Sequence, residues 1–228
     1  MSFQTVKNNT SSRFNEVQVF LNYITSQEPN APLVPTPLEV KIMRGLFYVH
    51  LYSSLEKSFN ELVQHTLALI NSKNVKNIHY TLSFNTISVI DKLKSLKDCS
   101  HKKFISKSID IFEEVGTRNS RNINETMFST YLQNVWVETI LEIQGAFGMP
   151  IMSIAPRTRY TINEIVDKRN AVAHGRDSAA VIGERYRCSD LRIKLDITQD
   201  FIIGIIDEFE NYYVDKKYLK PVMKKHYV

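Results

Sequence analysis

Residues 51–70 read LYSSLEKSFNELVQHTLALI. In this stretch Leu51, Tyr52, Leu55, Phe59, Leu62, Val63, Leu67 and Ile70 recur at steps of three and four, which an α-helix gathers onto one face. The helix they predict runs from about Leu38 to Asn71, and a stripe so long and so apolar belongs at the centre of a core. Working outward, Pro29, Pro32, Pro35 and Pro37 forbid helix on its N-terminal side and mark an extended connection. Before them, Val17, Phe20, Leu21 and Ile24 predict a first helix from Arg13 to about Ser26, preceded by the polar stretch Asn8–Ser12.

On the C-terminal side the pattern stays helical but breaks into shorter pieces. His79–Phe84 reads as a short strand or irregular chain. Thr86–Lys97 and Lys103–Val115 have helical spacing, and Gly116–Asn124 (GTRNSRNIN) is a polar, basic loop by composition. Helix returns over Leu132–Phe147 and is stopped by Gly148 and Pro150. Ile151–Tyr160, with Pro156, reads as a connection. Thr161 and Glu164 then have the spacing of a capping box, opening a helix that ends at Gly175. Extended chain is expected near Arg192–Leu195. A last helix opens at Thr198 or Asp200 and turns Phe201, Ile202, Ile205, Ile206, Phe209 and Tyr213 to the core. The expectation is an all-α helical bundle, one domain over 1–228, with extra short helices, minor strand elements and frayed ends at about 1–12 and 216–228.

Composition narrows the function classes. The chain has 228 residues, 43% of them hydrophobic, enough for a sizeable core, and only seven Gly and seven Pro, which excludes collagen-like and low-complexity classes. A formal net charge of +5 is compatible with a polyanionic partner without specifying one. Cys99 and Cys188 lie far apart and read as two reduced thiols. The N-terminus lacks the basic and apolar regions of a signal peptide, and no stretch approaches about 18 uninterrupted apolar residues. A cytoplasmic protein without a membrane partner is expected. His50, His65, His79, His101 and His226 form no pair at metal-ligand spacing, and there is no P-loop, GxGxxG or GxSxG. No cofactor and no metal is expected.

One segment carries chemistry. In the helix that ends at Gly175, Ile162, Ile165, Val166, Val172 and Ala173 set the apolar stripe. Arg169 and Asn170 fall on or beside it, and a charge there needs a partner or a function, since burying it unpaired is strongly unfavourable. His174 lies four residues after Asn170, on the same face. Arg169 is about 140° away around the helix, but its long side chain can swing to the same region. A histidine suits general acid–base work, and an arginine beside it suits holding a phosphoryl oxygen. Glu56 shares the stripe of the long helix with Tyr52, Leu55, Phe59 and Val63. It either sits beside Arg169 or lies at the stripe's edge in solvent. Arg118, Arg121, Arg157, Arg159, Arg176, Arg185 and Arg187, read as loop residues, are candidates to meet phosphates.

Residues Lys168 to Gly175, KRNAVAHG, have Arg, a polar residue, three more positions and then His on a late helix. This segment resembles the motif of the HEPN superfamily, and the long helix with Leu51-Tyr52-Ser53-Ser54-Leu55-Glu56 resembles that of its stand-alone prokaryotic defence or toxin members. The resemblance implies a HEPN-like bundle and a metal-independent endoribonuclease acting as a homodimer, two motif helices facing each other across a cleft. It implies that His174 moves the proton of the ribose 2′-hydroxyl or of the leaving oxygen, that Arg169 holds the scissile phosphate, and that Asn170 orients one or the other. RNA would be the substrate, because DNA lacks the attacking hydroxyl, and a cognate antitoxin or operon partner is compatible with it. The alternative is a non-catalytic module that binds RNA, nucleotide or a partner protein through the same cleft. A toxin silenced by nucleotidylation fits less well, because members of that class carry Tyr two residues after the His, where this chain has Arg176.

Overall fold

A computed structural model describes residues 2–29 and 34–227. The chain order is α1 (Phe3–Ser26), α2 (Leu38–Ser72), α3 (Leu82–Ser88), α4 (Ile90–Lys97), α5 (His101–Gly116), α6 (Val137–Phe147), α7 (Pro156–Ala173), α8 (Ala179–Glu184) and α9 (Cys188–Val214). Short 3-10 turns lie at Asn77–His79, Tyr131–Gln133 and Pro221–His226. The architecture is all-α. The expected strand elements are reduced, among the described residues, to isolated antiparallel bridges at Lys76–Ser120 and Tyr80–Leu219. Of the connecting prolines, Pro32 lies outside the described residues. Among the described residues no helix is long and apolar enough to cross a membrane.

Several element boundaries depart from expectation: α3 opens at Leu82 inside the stretch read as strand or irregular, the helix expected over 86–97 is divided between α3 and α4, and α6 begins at Val137 rather than Leu132. α1 begins at Phe3, and Phe3, Val6, Thr10, Phe14, Val17, Leu21 and Ile24 form one buried row at helical spacing. The polar residues 8–12 have poor intrinsic helix propensity, but Thr10 is buried and Asn9 Nδ2 donates to Glu61 at 2.5 Å on α2, so packing overrides propensity. α7 begins at Pro156 rather than Thr161. Proline at the first helical position loses no intrahelical bond and has its φ preset. Thr161 is therefore a buried interior residue, and Glu164 accepts from Tyr186 Oη at 2.6 Å and pairs with Lys194 instead of capping. α9 begins at Cys188, where Asp190 in the first turn accepts the Arg187 N–H at 2.9 Å. It runs helically through 192–195, and Thr198 bonds back to the Lys194 carbonyl at 2.6 Å from mid-helix. Finally, the tail is tied down rather than frayed: Tyr218 and Leu219 are buried, and the Thr81 N–H donates to the Tyr218 carbonyl at 3.0 Å.

The chain divides into two compact units. The first comprises Met1–Leu62, Tyr131–Thr139 and Ser153–Asp207. Its core joins the row on α1 to Phe47, Leu51, Leu55 and Phe59 of α2, Ile162, Ile165 and Val166 of α7, and Leu191, Leu195 and Ile202 of α9. At about 25 cal/mol per Å² of apolar surface removed from water, side chains of this size each contribute roughly 1.5–3 kcal/mol. α2 and α8 approach so closely that a Cβ on Gly183 would lie 1.8 Å from the Lys41 carbonyl oxygen, and one on Gly45 would lie 2.0 Å from that of Ala179. The second unit comprises Val63–Thr130, Ile140–Met152 and Glu208–Val228. It is centred on aromatic rings, with Phe147 in edge contact with Phe84, Phe209 and Tyr212, and the Tyr212 hydroxyl donating to the Phe147 carbonyl at 2.5 Å.

Candidate active site

All the residues of the candidate site belong to the first unit. α7 supplies its C-terminal turn. Ile162, Ile165 and Val166 are fully buried and pin the helix, and Ala171 follows them inside. Val172 is only half-buried and Ala173 exposed, so the apolar stripe ends earlier than the spacing predicts. His174 is the C-cap, and Gly175 at φ +67° turns the chain left-handed, a conformation that glycine adopts without a Cβ penalty. The Gly175 N–H then donates to the Val172 carbonyl at 3.2 Å, and the Asp177 N–H to that of Ala171 at 3.2 Å.

Arg169 does not swing freely. Its side chain is 15% exposed, and its guanidinium carbon lies 3.7 Å from the ring centroid of Tyr52 on α2. Arginine favours this stacked cation–π geometry, and desolvation strengthens it. Nη2 donates to the Gln133 carbonyl at 3.2 Å and stands 3.7 Å from Glu56 Oε2. The second distance is an ion pair without a hydrogen bond. Nε is buried without a partner, and Nη1 makes no hydrogen bond among the described residues. The charge on the predicted apolar face is thus partly compensated, and one edge of the guanidinium remains uncommitted.

Glu56 lies beside Arg169 and is half-buried. Burial raises its carboxyl above the ordinary range, opposed by the Arg169 charge. Tyr52 holds the arrangement in place through its hydroxyl, which accepts the Val135 N–H at 3.0 Å and donates to the Gln133 carbonyl at 3.2 Å. Asn60 adds bonds to the Glu56 and Leu132 carbonyls at 3.1 and 3.4 Å. The segment 132–135, which delivers the acceptor for Arg169, is thereby fastened to α2.

His174 is placed differently. Its ring is exposed and makes no hydrogen bond among the described residues, and its backbone N–H donates to the Asn170 carbonyl at 3.0 Å. Asn170 Oδ1 is buried without a partner, so this oxygen does not bond to His174. The structure therefore brings Arg169 and Glu56 together, adds Tyr52 and the Gln133 carbonyl, and leaves His174 at the rim. Tyr52 was within reach of sequence reasoning, since it lies one turn before Glu56 on the same stripe. The Gln133 acceptor is a backbone atom that any residue would supply, so no side-chain pattern announces it.

Of the expected loop arginines, Arg118, Arg121, Arg176, Arg185 and Arg187 lie outside the helices, and two do not. Arg157 and Arg159 belong to the start of α7, where Arg159 pairs with Glu138. Arg176 pairs with Asp167 at 2.7 Å, and its guanidinium holds that carboxyl below the usual carboxylate range.

A family model described as RiboL-PSP-HEPN matches residues 8–214 of the chain. No curated protein and no solved structure matches it.

Proposed function

The chain belongs to the RiboL-PSP-HEPN family, and from that membership and the seat of Arg169 we propose that it is a metal-independent endoribonuclease. The observation that carries the reading is the guanidinium held on Tyr52 at 3.7 Å with Nη1 left unused, five positions before an unencumbered histidine at the helix end. A phosphodiester oxygen placed on Nη1 would receive a charge-assisted hydrogen bond from a donor that needs no reorganisation.

In the reaction, the ribose 2′-oxygen loses its proton and attacks the adjacent phosphorus. The bond from phosphorus to the 5′-oxygen breaks, that oxygen takes a proton, and a 2′,3′-cyclic phosphate remains. His174 serves as the proton carrier for one of the two transfers. Arg169 holds the phosphate, Glu56 holds Arg169 against Tyr52, and Asn170 offers its amide to His174 or the phosphate. One such set is sparse for two proton transfers. A homodimer pairing two α7 ends supplies a second histidine, and a toxin or defence effector restrained by a cognate antitoxin or operon partner fits an enzyme of this kind.

The test is incubation of the purified chain with RNA in EDTA, with analysis of product ends and light scattering for the oligomeric state. Wild type should release 2′,3′-cyclic termini as a dimer, and Arg169→Ala and His174→Ala should each abolish cleavage while circular dichroism stays unchanged. RNA left intact by well-folded wild type overturns the proposal. Binding that His174→Ala weakens, without cleavage by wild type, would assign the site to a non-catalytic module.

A further inference from the structure

The second unit contains a basic cavity that the cleavage reading does not use. It encloses about 870 Å³ and is lined by Lys76, His79, Arg118, Lys220, His226 and Tyr227 among others. Three separate segments build it, and backbone bonds hold them together. The Asn77 and Ile78 N–H groups donate to the Asn119 and Thr117 carbonyls at 3.0 and 3.1 Å, which fixes Arg118 between them. The Lys220 N–H donates to the His79 carbonyl at 2.9 Å, and Lys220 Nζ to the Ile78 carbonyl at 2.7 Å. Two residues in left-handed conformation, Asn74 at φ 48° and Lys216 at φ 50°, turn the chain into the first and third segments after α2 and α9.

The wall is positive. Among the described residues Lys76, Arg118, Lys220 and His226 make no ion pair. Glu114, which meets this region through Asn77, is engaged by Lys92 at 2.9 Å. Tyr227 Oη accepts the Lys76 N–H at 3.1 Å and lies 2.7 Å from His79 Nδ1. Burial, and then the charges of Lys76, His226, Lys220 and Arg118, holds His79 below the usual imidazole range, as expected where cations crowd together.

We propose that this cavity binds a phosphate-bearing ligand of nucleotide size, with Arg118, Lys76 and Lys220 as the phosphate donors. Arginine presents a planar fork to phosphate oxygens, and Lys220 keeps donors to spare after its bond to Ile78, since an ammonium has three. The volume is that of a small-molecule pocket rather than of a lone ion. The phosphate is carried either by a free nucleotide or by a nucleic-acid backbone. The cavity needs no 2′-hydroxyl chemistry, so its fate is independent of the cleavage proposal.

The experiment measures binding by the full-length chain of adenosine 5′-monophosphate and of a 5′-hydroxyl oligodeoxynucleotide, which cannot be cut by 2′-hydroxyl attack. Arg118→Gln/Lys76→Gln should weaken binding at least about tenfold, equivalent to about 1.4 kcal/mol, and Arg118→Lys should restore part of it. Lys102→Gln/Lys103→Gln, which removes the same charge from exposed positions on α5, should have little effect. Tight binding of the mononucleotide identifies a free nucleotide as ligand, whereas binding of the oligonucleotide alone identifies a backbone phosphate. Loss of binding in the α5 control equal to that in the cavity variant, or no binding of either probe by wild type, overturns the proposal.

Discussion

Tyr52 has two separable duties, and two substitutions can tell them apart. In Tyr52→Phe the ring remains under the Arg169 guanidinium, but the hydroxyl that accepts the Val135 N–H at 3.0 Å and donates to Gln133 is gone. Val135 is fully buried, so no water replaces the lost acceptor. A buried donor left unsatisfied costs about 1–3 kcal/mol. For a chain of this length each kcal/mol lowers the melting temperature by roughly 2–4 °C, so a mid-range loss of about 2 kcal/mol means about 4–8 °C. Tyr52→Leu suffers the same loss, opens space where the ring was, and removes a cation–π contact worth about 0.5–2 kcal/mol. Below the melting transition the first variant should cleave RNA at near wild-type kcat. The second should fall about tenfold or more, because Arg169 has lost the surface that orients it. Scanning calorimetry and single-turnover cleavage at 25 °C read the two effects separately. Wild-type thermal stability in Tyr52→Phe would refute the hydrogen-bond argument. Equal activity in Tyr52→Leu would refute the view that the ring seats the arginine.

Other consequences follow from individual contacts. Arg169→Lys keeps the charge but loses both the planar stack and the fork, and should lower cleavage about 10²-fold or more with little change in chemical denaturation midpoint. Gly183→Ala, whose Cβ would collide with the Lys41 carbonyl, should destabilise by about 1–3 kcal/mol or more in urea. Gly204→Ala, within α9 and with nothing near its Cβ, should stabilise by about 0.5–1 kcal/mol. Glu28 accepts the Cys188 N–H at 2.9 Å and pairs with buried Arg44. Burial alone would raise its carboxyl, but these contacts bring it below its ordinary 4.5. Its contribution is fully present above pH 4.5 and disappears as pH falls through the lower folded value. Glu28→Gln should therefore flatten the acid limb of a stability–pH curve and leave its slope at neutral pH unchanged.

The helical class and the motif were legible in local sequence because both are periodic. The stripe from Leu51 to Ile70 repeats with the helix, and Arg169, Asn170 and His174 lie at spacings that any helix converts into neighbouring faces. Gly175 announced its left-handed stop by the absence of a Cβ, and the structure places it at φ +67°. Element ends were less legible, because they depend on what the rest of the chain offers. Residues 8–12 are helical because Thr10 is buried and Asn9 meets Glu61, and no propensity scale contains that contact. Thr161 and Glu164 carry the spacing of a capping box, but a proline five residues earlier starts the helix and draws both into its interior.

Sequence alone thus determined that this chain builds amphipathic helices and ends one of them with an arginine and a histidine, since helical periodicity is a property of neighbouring residues. Tertiary structure decided what those two groups face. The ring of Tyr52 and the carbonyl of Gln133, separated from Arg169 by long stretches of chain, hold the guanidinium still, while His174 is left to solvent. Contacts between residues distant in sequence arise only when cores close, and backbone acceptors such as the Gln133 carbonyl carry no residue-specific signature beforehand.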